Sequence, residues 1–257
     1  TASGLGNVDG TLLGRSLAID ARQQTFDNTR GKAVADGALV VNSGQLTNTG
    51  GLLQATGALA IDTHGQILTN TATGGTSGIR GQSTVDLIAG ALDNSTGLIA
   101  AAGTLQLTGT ALTNAKGRIS AEQALQATVA GLLDNRGGTL ANAGPLHLAV
   151  GALDNRDGGQ LVTNGDLLLA AAGGGVTNDG GTLSSQGALT ATVAGDLRNT
   201  AGKIVAGTDL ALTASGALAN AGGTLGAVAG RVDATAGGAF DNTAGRVEAA
   251  AALTLTA

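Results

Sequence analysis

An asparagine returns every 20 to 24 residues from one end of this chain to the other, and that spacing limits what the chain can fold into. The positions are Asn7, Asn28, Asn48, Asn70, Asn94, Asn114, Asn135, Asn155, Asn178, Asn199, Asn220 and Asn242. Two residues before each stands an apolar side chain: Leu5, Phe26, Leu46, Leu68, Leu92, Leu112, Leu133, Leu153, Val176, Leu197, Leu218 and Phe240. Three residues after it stands glycine in eleven of the twelve cases; at Asn70 the place is taken by Thr73, and Gly74 follows. Five residues after it comes, in most units, a second apolar residue such as Leu53, Ile99, Ile119, Leu140 or Ile204. Self-similarity at a fixed period specifies a repeat architecture in which each unit buries its apolar face only against its neighbours.

Within a unit the apolar residues alternate with polar or small ones, as in "GTLQLTGTALTN" from Gly103 and "GPLHLAVGALDN" from Gly144. Alternation at period two is the signature of a strand with one buried face. Each unit offers three such strands: one around the apolar residue before the Asn, one after the marker Gly, and one at the L-x-L run. A helical period of 3.6 is sustained nowhere. The helical repeats, at 33 to about 47 residues, are too long for this period. The leucine-rich frame L-x-x-L-x-L has compatible length but does not recur. The expected fold is therefore all-β, a parallel β-helix of about 11–12 coils of roughly 20–24 residues with three short strands per coil. At an interstrand spacing of about 4.8 Å the rod would be roughly 50–60 Å long. Residues 1–257 are read as one β-helical domain, with a surface bulge at 71–84.

Composition fits a narrow core. The chain has 45 Gly, two Phe, and no Trp, Tyr, Met or Cys. Glycine at this level raises the question of disorder. Sixty Leu, Ile, Val and Phe residues and a net charge of only −5 give the opposite of the disorder signature. Without cysteine there are no disulfides or thiolate metal sites. The mild acidity argues against a nucleic-acid partner, which selects a basic face. No apolar run reaches the length of a membrane span. The opening "TASGLGNVDG" has no basic and apolar leader pattern. The repeat is already running at Leu5, so we expect an excerpt of a longer chain.

The Asp-Asn-x-x-Gly segments are the most conspicuous candidates for a site. The structural reading makes Asn28, Asn48, Asn94, Asn114, Asn135, Asn155, Asn178, Asn199, Asn220 and Asn242 corners of the coil. Asn and Asp tolerate left-handed backbone and bond nearby main chain. Glycine accepts positive φ, and stacked Asn side chains can form a ladder. The rival is calcium. The residue before the Asn is Asp in only five units (Asp27, Asp93, Asp134, Asp154, Asp241), and the calcium-solenoid nonapeptide is absent. His147 alternates with Leu146 and Leu148 and should face solvent; His64 lies beside Gly65 at an expected bend, about four coils away. Neither suggests a metal or a catalytic group, and no cofactor is implied.

Sugar hydrolysis needs two carboxylates about 5–10 Å apart. Asp134 and Asp154 would stack on successive coils, but the corner alone explains that spacing, and no Trp or Tyr is present as a sugar platform. No enzyme is expected. A flat T-x-T array for ice is not repeated on successive coils. Pro145 should open a strand, and "AAAGGGVTN" (Ala170–Asn178) should widen a corner. The longest irregularity, "TATGGTSGIRGQST" (Thr71–Thr84), stretches one unit to 24 residues. Insertions in repeats map to loops, which are often binding faces. Thr76, Arg80 and Gln82 are its candidate partner contacts.

"LDNRGGTLANAGPLHLAVGALDN" (Leu133–Asn155) and "LTNAKGRISAEQALQATVAGLLDN" (Leu112–Asn135) resemble the haemagglutinin repeats of filamentous-haemagglutinin-like exoproteins. The resemblance runs over essentially the whole chain. It implies a right-handed β-helical shaft in a very large bacterial protein exported by two-partner secretion. Such proteins include adhesins and contact-dependent growth inhibition effectors. It further implies a secreted, cell-surface location and an outer-membrane secretion partner during export. The distal partner would be a receptor or glycan on a host or neighbouring cell. No secretion or toxin domain is recognised in these residues.

Overall fold

In a computed structural model, which describes residues 4–257, every strand pairs in parallel with the equivalent strand one coil away. Twelve coils stack. Each begins with a two- or three-residue strand ending one residue before the marker Asn, continues with a four-residue strand, and closes with a strand of four or five residues. The second strands form a separate twelve-stranded sheet. The first and third form one 22-stranded sheet, because Leu125–Asp134 and Leu146–Asp154 each run unbroken through the corner joining them. Eleven steps of about 4.8 Å give a stack about 53 Å long.

Alternation places one apolar file on the inside of each sheet. From the first strands come Phe26, Leu46, Leu68, Leu92, Leu112 and Leu133, each paired in register with the next and buried. The second strands supply Leu53, Ile79, Ile99, Ile119 and Leu140. The third supply Leu59, Val85, Leu105, Leu125 and Leu146. Because the files are continuous, a coil's core is made by the coils above and below it, and leucine over leucine repeats without aromatic bulk. Pro145 stands immediately before its strand, where the missing N–H breaks no ladder bond.

The register locates the irregularities more closely than periodicity does. Of the stretch 71–84, only the part up to Ser77 departs from the repeat. Gly78–Gly81 is a second strand in register with Leu52–Ala55 and Leu98–Ala101, and Val85–Ile88 is a third strand. Ile79 needs the inward place between Leu53 and Ile99, and this pulls the following residues back into the coil. The corner at 172–175 has four residues; the longest corners of that type are instead 21–25 and 63–67. Arg22, Gln23, His64 and Gly65 take positive φ there.

Candidate functional site: the asparagine corner and a groove beside it

Each marker Asn lies between the first and second strands with its side chain turned inward; those at Asn28 to Asn220 are fully buried. Its Nδ2 donates to the Oδ1 of the Asn one coil further on, always at 2.7 Å. Eleven such bonds link Asn7 to Asn242 without a gap. From Asn28 to Asn242, except at Asn70, the same Nδ2 also reaches the carbonyl of the corner glycine. For Asn135 that is Gly138 at 3.2 Å, and for Asn155 it is Gly159 at 2.9 Å. One amide therefore ties its own corner and the next coil together.

The expected division of backbone roles needs correcting. No marker Asn takes positive φ, and of the glycines three residues after it only Gly158 does. The left-handed residue is the one between them, two after the Asn, in all twelve coils. Glycine occupies it at Gly50, Gly137, Gly180 and Gly222. Asp9, Arg30, Ala72, Thr96, Lys116, Asp157, Ala201 and Ala244 occupy it elsewhere. The marker glycine is needed for closeness. At Gly31, Gly51, Gly97, Gly117, Gly138, Gly159, Gly181, Gly202, Gly223 and Gly245 a Cβ would stand 1.9–2.5 Å from the carbonyl oxygen of the previous coil's Asn. In the coil of Asn155 the close-approach glycine is Gly159, because Asp157 and Gly158 lengthen that turn by one residue. In the coil of Asn70 no glycine fills the place. The Thr73 hydroxyl instead accepts from the Leu98 N–H at 2.8 Å, the bond a glycine carbonyl accepts in the other coils.

The aspartate before the Asn has a separate task on the outside. In all five units that carry it, Asp Oδ1 accepts the backbone N–H two residues ahead, at 2.8–3.2 Å. This closes the turn by the short-range Asx geometry. At Asp134 and Asp154 two arginines join in. Arg136 binds Asp134 at 2.7 Å and approaches Asp154 at 3.7 Å, and Arg156 binds Asp154 at 2.7 Å. The Arg136 side chain holds the Asp134 carboxyl below the usual carboxylate range. Burial pushes Asp154 upward, but the Arg156 hydrogen bonds outweigh it and the net displacement is downward. Both carboxylates are thus held ionised and occupied, the opposite of the raised pKa that a general acid uses. Among the described residues no three of His, Asp and Glu gather as a metal site. His147 is exposed on its strand. The His64 ring Nδ1 lies 3.1 Å from the Ser43 carbonyl oxygen, and the His64 backbone N–H donates to Asp62 Oδ1 at 2.7 Å.

The three residues assigned to the bulge do not stay together. Thr76 is exposed at the tip of the insertion. Arg80 lies on the second strand and reaches back under the loop, its Nε donating to the Ser77 carbonyl at 3.0 Å and its Nη2 to the Gly75 carbonyl. Gln82 is at the following corner. Arg80 and Gln82 line an open groove of about 540 Å³ on the outer face of the second-strand sheet. Its floor is Ala100, Ser120 and Ala141, successive register partners. Arg118 and Glu122 complete the lining that matters chemically. None of these was singled out from the sequence. The signal was the outward column Gln54, Arg80, Ala100, Ser120, Ala141, Val162, in which three small residues stand between larger ones. That column becomes visible only once the register is known.

The uninterrupted parallel stack, inward leucine files and amide ladder define a β-solenoid repeat protein. A model of the haemagglutinin repeat family matches residues 1–77, 68–137, 123–174, 162–222 and 227–257, and the chain belongs to that family. No curated protein and no solved structure gives a significant match.

Proposed function

We propose that the chain is a stiff shaft of a secreted bacterial surface exoprotein, holding functional regions away from the cell for adhesion or cell–cell contact. The observation that carries the reading is the ladder, since each of the eleven coil interfaces is crossed by the same amide bond, buried in all but the last. Family membership supports an exoprotein setting. A chain with no cysteine and one proline suits passage through an outer-membrane partner in an extended state. Folding that propagates from coil to coil suits emergence on the far side.

The test is an in-register deletion in cells that secrete the protein. Removing residues 95–135 takes out two whole coils and joins Asn94 to Arg136, preserving the ladder. A shaft remains exported and surface-exposed, and contact with target cells persists at shorter reach. Removing residues 95–124 leaves a broken coil and should reduce export. Equal loss of contact from both deletions would contradict the shaft reading.

A further inference from the structure

We infer that the groove over Ala100, Ser120 and Ala141 is a binding site for a linear, carboxylate-bearing polysaccharide. Several independent departures from the repeat converge on it. The chain's longest first corner, 71–77, abuts it, and the Gly75 and Ser77 carbonyls of that corner fix the Arg80 guanidinium in place. Among the described residues six of the ten arginines pair with a carboxylate; of the four that do not, Arg15, Arg22, Arg80 and Arg118, two line the groove. Small side chains on three successive coils lower the floor.

The chemistry selects the ligand. Arg80 and Arg118 stand two coils apart, about 10 Å along the rod at the strand spacing. A guanidinium with free N–H groups prefers a carboxylate. Two cations beside Glu122 leave the groove a net charge of one, too little for a densely sulfated chain but matched to well-spaced carboxylates. Glu122, Gln82 and Ser120 supply acceptors and donors for hydroxyl groups. Methyl-bearing alanines offer a flat apolar strip for ring faces. No deep apolar pocket receives peptide side chains, and the sheet presents its face rather than a free strand edge. This site adds to the shaft reading and does not depend on it, because it is tested on the isolated chain.

The experiment measures binding of the purified 257-residue chain to alginate oligomers, with dextran, dextran sulfate and polyglutamate as comparators. Variants are Arg118→Gln and Ser120→Tyr, the latter filling the trough from an outward strand position. The far-ultraviolet circular dichroism of each confirms an intact β-stack. The expected result is alginate binding that both variants weaken by about tenfold or more, with dextran and polyglutamate inactive and dextran sulfate weaker. Absence of alginate binding, binding that neither variant changes, or stronger binding of dextran sulfate or polyglutamate would overturn the assignment.

Discussion

Replacing Asn135 with alanine should open a gap in the middle of the ladder. Asn135 accepts from Asn114 Nδ2 and donates to Asn155 Oδ1, both at 2.7 Å, and is fully buried. After truncation Asn114 Nδ2 keeps the Gly117 and Thr139 carbonyls at 3.3 Å, but Asn155 Oδ1 is left without a donor. Two ladder bonds at about 1 kcal/mol each, plus about 1–3 kcal/mol for the stranded acceptor, give a loss of at least about 3–5 kcal/mol, to which the weaker Asn135 Nδ2 contacts with the Gly138 and Gln160 carbonyls at 3.2 Å add. A stack of repeats does not unfold in one step, so a single unfolding free energy is the wrong observable. Native-state hydrogen exchange reads the coils separately. Amides of the coils holding Asn114, Asn135 and Asn155 should exchange about a hundred to a few thousand times faster, with remote coils near wild type. Asn135→Asp should be worse than Asn135→Ala, because a carboxylate facing Asn155 Oδ1 offers an acceptor where a donor is required. Asn242→Ala, removing one rung at a half-exposed position, should have about 1 kcal/mol of effect. Exchange unchanged at the three central coils, or Asp tolerated as well as Asn, would refute the ladder as a stabilising element.

The two kinds of corner glycine should respond differently to alanine. Gly138→Ala forces a Cβ to 2.0 Å from the Asn114 carbonyl and should destabilise by more than about 3 kcal/mol, or prevent folding. Gly180→Ala, at φ +68 with open space around it, should cost about 1–2 kcal/mol, read as about 5–30-fold faster hydrogen exchange in its own coil. The Asp134–Arg136–Asp154–Arg156 cluster makes stability pH-dependent. Because the folded carboxylates titrate below their unfolded values, their contribution is full above the usual carboxylate range and is lost as pH falls through the depressed values. Asp134→Asn with Asp154→Asn should therefore lower the melting temperature at pH 7 and erase part of the wild-type drop on acidification. Charges placed at Leu105 and Leu107, 0% and 3% exposed, should leave a protease-sensitive break at that coil and stall export. Limited proteolysis and secreted yield measure the two effects.

The architecture was legible because side-chain alternation and a marker residue encode it redundantly: Leu133, Asn135 and Gly138 each recur in nearly every unit. Their physical jobs were only partly legible. Gly138 reads as a turn glycine, yet it is glycine because the Asn114 carbonyl leaves no room for a Cβ, a contact with a residue 24 positions away. The strained backbone belongs to Gly137, and its equivalents are Ala72, Thr96 and Lys116, so residue type there gives no signal. At the insertion the sequence showed extra length but not where it ends. That is set by the need of Ile79 for its place in the core file. The groove was hidden for a related reason: Ala100, Ser120 and Ala141 are unremarkable along the chain and become a floor only when stacked.

A cysteine-free chain allows one direct test of coil stacking. Ser184 and Val205 are register partners on adjacent coils, and Val162 and Val205 are two coils apart. Neighbouring strands at about 4.8 Å fall within disulfide reach, whereas about 10 Å does not. Mild oxidation of Ser184→Cys with Val205→Cys should give an intramolecular disulfide in nearly every molecule, and Val162→Cys with Val205→Cys should give none. Failure of the first pair to close, or efficient closure of the second, would contradict a parallel solenoid of one repeat per coil.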